Sequence, residues 1–154
     1  MRKVNLLIAL VVSLLITHAA RAEEAKNAAK DAASDRQSLR GTWKVVKKIK
    51  NGQSENVKDH PESLTFSGDS VTHAKGDEKA GDGTFALDEA KTPKRITFKG
   101  TGGAHAGTVF EAIYELKGDT LRIAYGTGRN AKTPPKDFTG GEGEAAETLQ
   151  RQKP

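Results

Sequence analysis

From Gly41 onward the chain consists of short β-rich runs separated by turn residues, and this pattern constrains the fold more than any other feature. The runs are 42–50, 63–67, 70–75, 83–88, 95–99, 108–116, 120–126 and 147–152. Turn-forming residues such as Asn51-Gly52 and Lys117-Gly118-Asp119 stand between them. Because no amphipathic helix separates one run from the next, parallel crossovers are disfavoured, and the pattern predicts eight strands in antiparallel, up-and-down order.

Apolar and polar residues alternate along these runs, which assigns the two faces because successive strand residues point to opposite sides. The apolar face collects Trp43, Val45, Ile49, Leu64, Phe66, Val71, Phe85, Leu87, Ile96, Phe98, Phe110, Ala112, Tyr114, Leu116, Leu121, Ile123, Tyr125 and Leu149. Lys47 interrupts the alternation, and Val46 and Ile113 fall on the polar face. A β-bulge in the first strand would explain Lys47 and Val46, and cover by the tail or a neighbouring segment would explain Ile113.

A single apolar face shared by all eight strands favours a closed barrel. An open sheet would leave two unpaired edges, whereas pairing of the last strand with the first removes both. The fold predicted from the sequence is therefore all-β, an eight-stranded antiparallel up-and-down barrel. Eight strands enclose a space that side chains can fill or that can hold one small ligand.

The first 22 residues have the three-part pattern of a secretory signal peptide. Met1-Arg2-Lys3 precedes the uncharged apolar stretch 4–16, and Ala20 and Ala22 offer two cleavage points. The apolar stretch is shorter than the roughly 20 residues that a membrane-spanning helix needs. We therefore expect a signal peptide over 1–22, export to the periplasm or beyond the cell, and no integral membrane insertion once the signal is removed.

The basic charge of the chain depends largely on that signal. Without Arg2, Lys3 and Arg21 the Lys+Arg count falls from 25 to 22 against 20 acidic residues, so the mature net charge is +2. These cations are dispersed rather than clustered, which argues against a nucleic-acid partner. With no cysteine in the chain, stability must come from a core and closed hydrogen bonding rather than from disulfides.

Residues 23–39 are rich in alanine and charge and carry almost no bulky apolar side chains. Such a segment can form helix yet bury little surface. The sequence therefore predicts an Ala-rich N-terminal tail over 23–39 that is flexible or weakly helical, with a docking helix as the alternative. The barrel domain is assigned to 40–154.

The stretch "GTW" places Gly41 and the only tryptophan of the chain, Trp43, at the head of the first strand. A glycine lets the chain pass close to neighbouring backbone, and an indole two residues later can close the end of a barrel. Together with "LTFSGDSVT", "GTFALD", "PKRITF", "IYELKGDTLRIAY" and "TLQRQK", this motif resembles the lipocalin-like domain family of unknown function that is common in planctomycete bacteria. The resemblance implies that an arginine near the end of the last strand, here Arg151, packs across Trp43.

The inward face and the resemblance together indicate binding rather than catalysis. The predicted function is that of an exported, non-enzymatic lipocalin-like barrel that binds a small apolar ligand in its interior. The candidate interior contacts are Phe66, His73, Phe85, Phe98, Phe110, Tyr114 and Tyr125, and the candidate structural plug is Gly41, Trp43 and Arg151. Because so many inward residues are aromatic, the alternative is a side-chain-filled barrel that acts as a structural or protein-interaction module.

No cofactor, metal site or catalytic residue is predicted. The spacing Gly126-x-Gly128-x-x-Ala131 matches a dinucleotide fingerprint formally, but Thr133-Pro134-Pro135 leaves no room for the helix that such a site requires. His60, His73 and His105 lie in separate segments without metal-ligand spacing. Among the carboxylates that we considered for acid–base catalysis, Glu111 and Glu115 are expected to face water rather than converge in a cleft.

Overall fold

The computed structural model describes residues 35–153. A turn of helix at 35–39 is followed by β1 (Gly41–Lys50), β2 (Gln53–Glu55), β3 (Glu62–Ser67), β4 (Ser70–Lys75), β5 (Glu78–Asp88), β6 (Lys94–Gly103), β7 (Val109–Lys117), β8 (Thr120–Gly126) and β9 (Glu144–Arg151). A 3₁₀ turn at Gly128–Asn130 lies in the connection between β8 and β9. Within the described part of the chain, no helix is long and apolar enough to cross a membrane.

The strands form a closed antiparallel barrel in up-and-down order. From β3 to β9 each strand pairs with the next along the chain, and β9 returns to pair with β1, so that Trp43 lies opposite Arg151. The first half of β1 pairs with β3, and its second half pairs with the short β2. Eight strands therefore close the ring and β2 extends one side of it, which confirms the predicted fold class.

Several strands extend beyond their predicted bounds, and the added residues are mostly glycine or charged. β5 begins at Glu78 instead of 83, and β6 continues to Gly103 instead of 99. In this region the two strands pair Gly81 with Gly103 and Asp82 with Gly102. Backbone hydrogen bonds need no apolar side chain, so the ladder continues where the alternation of apolar residues has already stopped.

The bulge expected in the first strand is present, and it reverses the faces of the residues that follow. The register of β1 against β9 shifts between Val45 and Lys47, and Val46 is 44% exposed. Beyond the bulge, Lys48 lies opposite Glu147, and Ile49 lies opposite Ala146. Lys48 lines the interior of the barrel, so its neighbour Ile49 faces outward because strand neighbours alternate. The prediction that Ile49 points inward is therefore wrong.

A small second cluster lies on the outer face of the barrel and accounts for Ile113. It consists of Ile113, Ala124 and Ala146, with Phe138 of the connection between β8 and β9 packed against them. The guanidinium carbon of Arg122 lies 4.4 Å from the centre of the Phe138 ring. The segment that covers Ile113 is therefore this connection, which folds back across β7, β8 and β9.

The helical turn at 35–39 docks on the closed end of the barrel. Leu39 is fully buried in the core, and its carbonyl oxygen accepts a 2.7 Å hydrogen bond from Trp43 Nε1. Asp35 Oδ2 accepts hydrogen bonds of 2.8 Å from Tyr114 Oη and from Lys94 Nζ. The end of the predicted tail thus contributes to the core. The signal-peptide prediction (1–22) and the rest of the tail (23–34) lie outside the described residues.

Candidate functional site

The barrel interior is packed at one end and open at the other. The closed half is filled by a core that includes Leu39, Trp43, Phe66, Phe85, Ile96, Tyr114, Leu121 and Leu149. The other half contains a cavity of about 210 Å³, which we call the open-end cavity. Its apolar wall is formed by Leu64, Val71, Phe98, Phe110 and Ile123, and its polar wall includes Lys48, Glu62, His73, His105, Tyr125 and Glu147. The closed half therefore contributes packed apolar contacts, and the open half contains a cavity large enough for a small molecule.

The structure divides the seven predicted interior contacts between these two halves. The residues that line the open-end cavity are His73, Phe98, Phe110 and Tyr125. Those buried in the closed half are Phe66, Phe85 and Tyr114, with the Phe66 and Phe85 rings in an edge-to-face pair 5.1 Å apart. Alternation along a strand determines which face a residue occupies, but it carries no information about depth along the barrel axis. Whether the four cavity-lining residues contact a ligand stays a prediction.

The three residues assigned to the plug lie together at the closed end. The Arg151 guanidinium carbon is 4.1 Å from the centre of the Trp43 ring, which is fully buried. Arg151 also donates through Nη1 to the carbonyl oxygen of Arg40 at 2.7 Å and through Nε to Asp119 Oδ1 at 3.1 Å. Gly41 has φ +107°, a conformation that residues with a side chain rarely adopt. The glycine therefore allows the chain to turn under this arginine and enter β1.

Six polar side chains form one continuous chain of contacts along the cavity wall, which we call the polar chain: Tyr125, Glu147, Lys48, Glu62, His73 and His105. Tyr125 Oη donates to Glu147 Oε1 at 2.8 Å, and Lys48 Nζ lies 3.1 Å from the same oxygen. Lys48 Nζ also donates to Glu62 Oε1 at 2.9 Å. One part-buried cation thus bridges the buried carboxylate of Glu147 and the part-buried carboxylate of Glu62.

The other end of the polar chain contains two stacked histidines. Glu62 Oε2 lies 3.1 Å from His73 Nε2, and His73 Nδ1 lies 3.2 Å from His105 Nε2. The two imidazole rings are 5.3 Å apart with an interplanar angle of 26°. The His105 ring then meets Phe110 edge to face at 5.6 Å. Both nitrogens of His73 are therefore engaged, which holds its ring against the cavity wall.

Neighbouring groups fix the charge states of this wall. The hydrogen bond from His73, together with Lys48 and against the opposing effect of burial, lowers the pKa of Glu62 from 4.5 to about 2. Burial works against the Lys48 ammonium, yet Glu147 and Glu62 hold its pKa above the ordinary value. Burial and then Glu147 raise the pKa of Tyr125, while burial and then His73 lower that of His105. Near neutral pH, Lys48 and Glu62 are thus ionised, and Tyr125 and His105 are neutral.

His105 reaches the cavity because the turn between β6 and β7 folds back over the strands. Gly100 donates its backbone N–H to the Thr108 carbonyl at 2.8 Å, and Gly107 donates to the Gly100 carbonyl at 3.0 Å. A Cβ atom on Gly100 would overlap the carbonyl oxygen of His105. Gly100 and Gly107 therefore permit a close backbone approach that places His105 beside His73.

Four members of the polar chain were not identified from the sequence: Lys48, Glu62, Glu147 and His105. Glu147 has the same strand parity as the inward Leu149, and Glu62 has that of Leu64, so both could have been found by extending the alternation to charged residues. Lys48 faces inward only because of the bulge, and His105 lies in a turn to which strand parity does not apply. The carboxylates that converge in the structure are Glu62 and Glu147.

The histidine pair does not form part of a larger ligand set for a metal. Among residues 35–153, no group of three or more His, Cys, Asp or Glu side chains is arranged to hold a metal ion. His73 and His105 are brought together although 32 positions separate them in sequence. Since His73 uses both ring nitrogens for Glu62 and His105, neither is left to bind a metal in this arrangement.

Comparison with protein families identifies the class to which this barrel belongs. A family model described as a lipocalin-like domain matches residues 39–142, which extend from Leu39 through β1 to β8 and into the connection before β9. The match includes more than half of the chain, and the protein therefore belongs to the lipocalin-like domain family. Comparison with curated proteins and with solved structures finds no match. β9, which closes the barrel, lies beyond the matched region.

Proposed function

We propose that this protein is an exported, non-enzymatic binding protein whose open-end cavity holds one small ligand with a mainly apolar body. The observation that carries the proposal is the cavity itself, because a barrel filled to both ends would have none. Membership of the lipocalin-like family supports the same function, since such barrels generally bind small molecules rather than catalyse reactions.

The volume limits the size of the ligand. A cavity of about 150 Å³ accommodates benzene, and drug-sized ligands commonly occupy about 300–1,000 Å³. The open-end cavity, at about 210 Å³, lies between these two ranges. A molecule with one ring and a short substituent therefore fits within it.

The chemistry of the wall favours binding over catalysis. Lys48, a part-buried amine of the wall, is held as a cation between two carboxylates, and a protonated amine cannot serve as a nucleophile. Tyr125 has a raised pKa and donates its proton to Glu147 in a hydrogen bond. The polar chain is thus suited to fix the orientation of a ligand while the apolar wall supplies contact area.

Val71→Phe is expected to abolish ligand binding because the larger side chain would occupy the cavity that Val71 lines. The measurement is a thermal-shift and calorimetric screen of one-ring compounds, since a ligand specific to the native state must stabilise it. Val46→Phe is the matched control, because Val46 is exposed on the outer face. Circular dichroism monitors the barrel fold, which overpacking should destabilise by about 1–3 kcal/mol.

Two results of this screen would contradict the proposal. Failure of every one-ring compound to bind the unmodified protein would favour the filled-barrel alternative, in which the domain has a structural or protein-interaction role. Equal binding by folded Val71→Phe and by Val46→Phe would place the ligand outside the cavity.

The proposed export rests on the sequence of the first 22 residues. In a bacterial host the full chain should be recovered outside the cytoplasm with a mass that corresponds to cleavage after Ala20 or Ala22. A matched variant with Leu10→Arg and Leu14→Arg, which places charges in the apolar stretch 4–16, should remain uncleaved in the cytoplasm. Recovery of the uncleaved parent chain in the cytoplasm would overturn the proposal of export.

A further inference from the structure

The free hydrogen-bonding capacity of the cavity wall indicates the kind of polar group that its ligand carries. Glu147 is 7% exposed and lines the open-end cavity. Its contacts with Tyr125 and Lys48 are both made through Oε1. Among residues 35–153, its second oxygen, Oε2, has no hydrogen-bond partner. A carboxylate oxygen that lines the cavity and is not used within the fold is an acceptor for a donor group on a ligand.

Among the described residues that line the cavity, none is a part-buried, unpaired cation that could hold an anionic ligand. Lys48 Nζ lies 2.9 Å from Glu62, 3.1 Å from Glu147 and 3.9 Å from Glu55, so three carboxylates surround its three N–H groups. The other lysines that line the cavity are Lys75 and Lys99, and both are exposed. Water and salt screen charges in that position. The buried part of the wall therefore contains two carboxylates and only one lysine, which is already paired.

Aromatic side chains line the same cavity as Glu147. Tyr125 is bonded to Glu147, and its ring meets that of Phe110 edge to face at 6.2 Å. The Phe110 ring in turn contacts His105. Ring faces attract cations through their quadrupole, most strongly where water is displaced. A carboxylate and adjacent aromatic rings thus favour the same kind of group, a cation that is also a hydrogen-bond donor.

We propose that the open-end cavity recognises a small one-ring amine, with its ammonium donating to Glu147 Oε2 and its apolar ring packed against Leu64, Val71 and Phe98. This inference rests on the proposed function, because it identifies the ligand class of the same cavity. The ammonium donates to the carboxylate oxygen that the fold does not use, and the ring lies against the apolar part of the wall. Benzoate-like anions would place a carboxylate against Glu147 and are excluded by charge.

The test compares three probes of nearly equal size: benzylamine, benzyl alcohol and benzoate. Isothermal titration calorimetry on the full mature chain at pH 7 should give benzylamine a dissociation constant lower by about tenfold or more than that of either other probe, since charge-assisted hydrogen bonds are the stronger kind. The preference should weaken as salt is added, because the attraction is partly electrostatic. Because all three probes are measured on the unmodified protein, the result does not depend on whether Glu147→Gln folds.

Glu147→Gln removes the charge and keeps the size of the side chain. It should weaken benzylamine binding by about tenfold while changing benzyl alcohol binding by less than about threefold. Glu142→Gln, an exposed carboxylate in the connection before β9, is the matched control and should change neither.

The outcomes separate this inference from the function on which it rests. Benzyl alcohol or benzoate binding as tightly as benzylamine would overturn the amine assignment and leave the proposed cavity function standing. Loss of benzylamine affinity in Glu142→Gln, or none in a folded Glu147→Gln, would also overturn it. Failure of all three probes would overturn the assignment, and the wider one-ring screen would then decide the proposed function by itself.

Discussion

Trp43→Ala should lower the free energy of unfolding by about 3–5 kcal/mol, the range for removing a large aromatic side chain from a core. Trp43 is fully buried, and its ring is covered by Arg151 at 4.1 Å on the last strand. Its Nε1 also donates to the carbonyl oxygen of Leu39, so the substitution leaves that acceptor without its donor. The loss would therefore combine a cavity, an unpaired polar group and a lost cation–π contact.

Chemical denaturation monitored by circular dichroism is the appropriate measurement, because the substitution removes the only tryptophan. Val46→Ala, on the exposed side of the same strand, is the control and should stay within about 0.5 kcal/mol of the parent. Arg151→Ala should cost less than Trp43→Ala, since the cation–π contact contributes about 0.5–2 kcal/mol. A Trp43→Ala variant as stable as Val46→Ala would show that the indole does not anchor the closed end.

The barrel could be predicted from the sequence because its closure depends on features that alternation reveals. Eight runs with one shared apolar face leave closure as the arrangement that pairs every edge. The interrupted alternation indicated a bulge but not its effect on the residues beyond it: one extra residue at Val46 turns Lys48 inward and Ile49 outward. The register shift changes the face of every later residue in that strand, so a correct strand assignment still gave a wrong face.

The candidate site was harder to predict than the fold. It depends on how far along the barrel axis each inward residue lies, and on contacts between segments that are distant in sequence. Tyr114 and Tyr125 share the inward face, yet Tyr114 bonds to Asp35 at the closed end, and Tyr125 bonds to Glu147 at the open end. Searching for apolar residues also passes over inward-facing charges such as Glu62 and Glu147. These side chains can lie in the barrel interior because Lys48 pairs with both.

The two halves of the barrel therefore meet different physical requirements. The closed half gains stability from apolar burial and from the indole that Arg151 covers. The open half contains buried charges, which add little net stability but are costly to separate once they are buried. Polar groups that are already fixed by ion pairs can orient a ligand without rearranging. The barrel interior is then less completely packed than that of a filled barrel.

Lys48→Met should therefore be severely destabilising, although methionine is apolar and of similar length. The substitution removes the cation between Glu62 and Glu147 and leaves a part-buried and a buried carboxylate without it. Removing one partner of a buried ion pair typically costs about 3–5 kcal/mol. Lys47→Met, at an exposed position next to it on β1, is the matched control and should change the free energy of unfolding by less than about 0.5 kcal/mol.

The destabilisation by Lys48→Met should also depend on pH in a defined direction. In the parent protein the pKa of Glu62 is lowered from 4.5 to about 2, so this group stabilises the fold above pH 4.5 and loses that contribution as the pH falls towards 2. Without Lys48 the pKa of Glu62 rises, and protonation relieves the repulsion between the carboxylates. Denaturation curves of parent and variant, measured from pH 7 to pH 2, should accordingly differ most near neutrality and converge in acid. A difference that stayed constant over this range would mean that Lys48 acts through packing rather than through its charge.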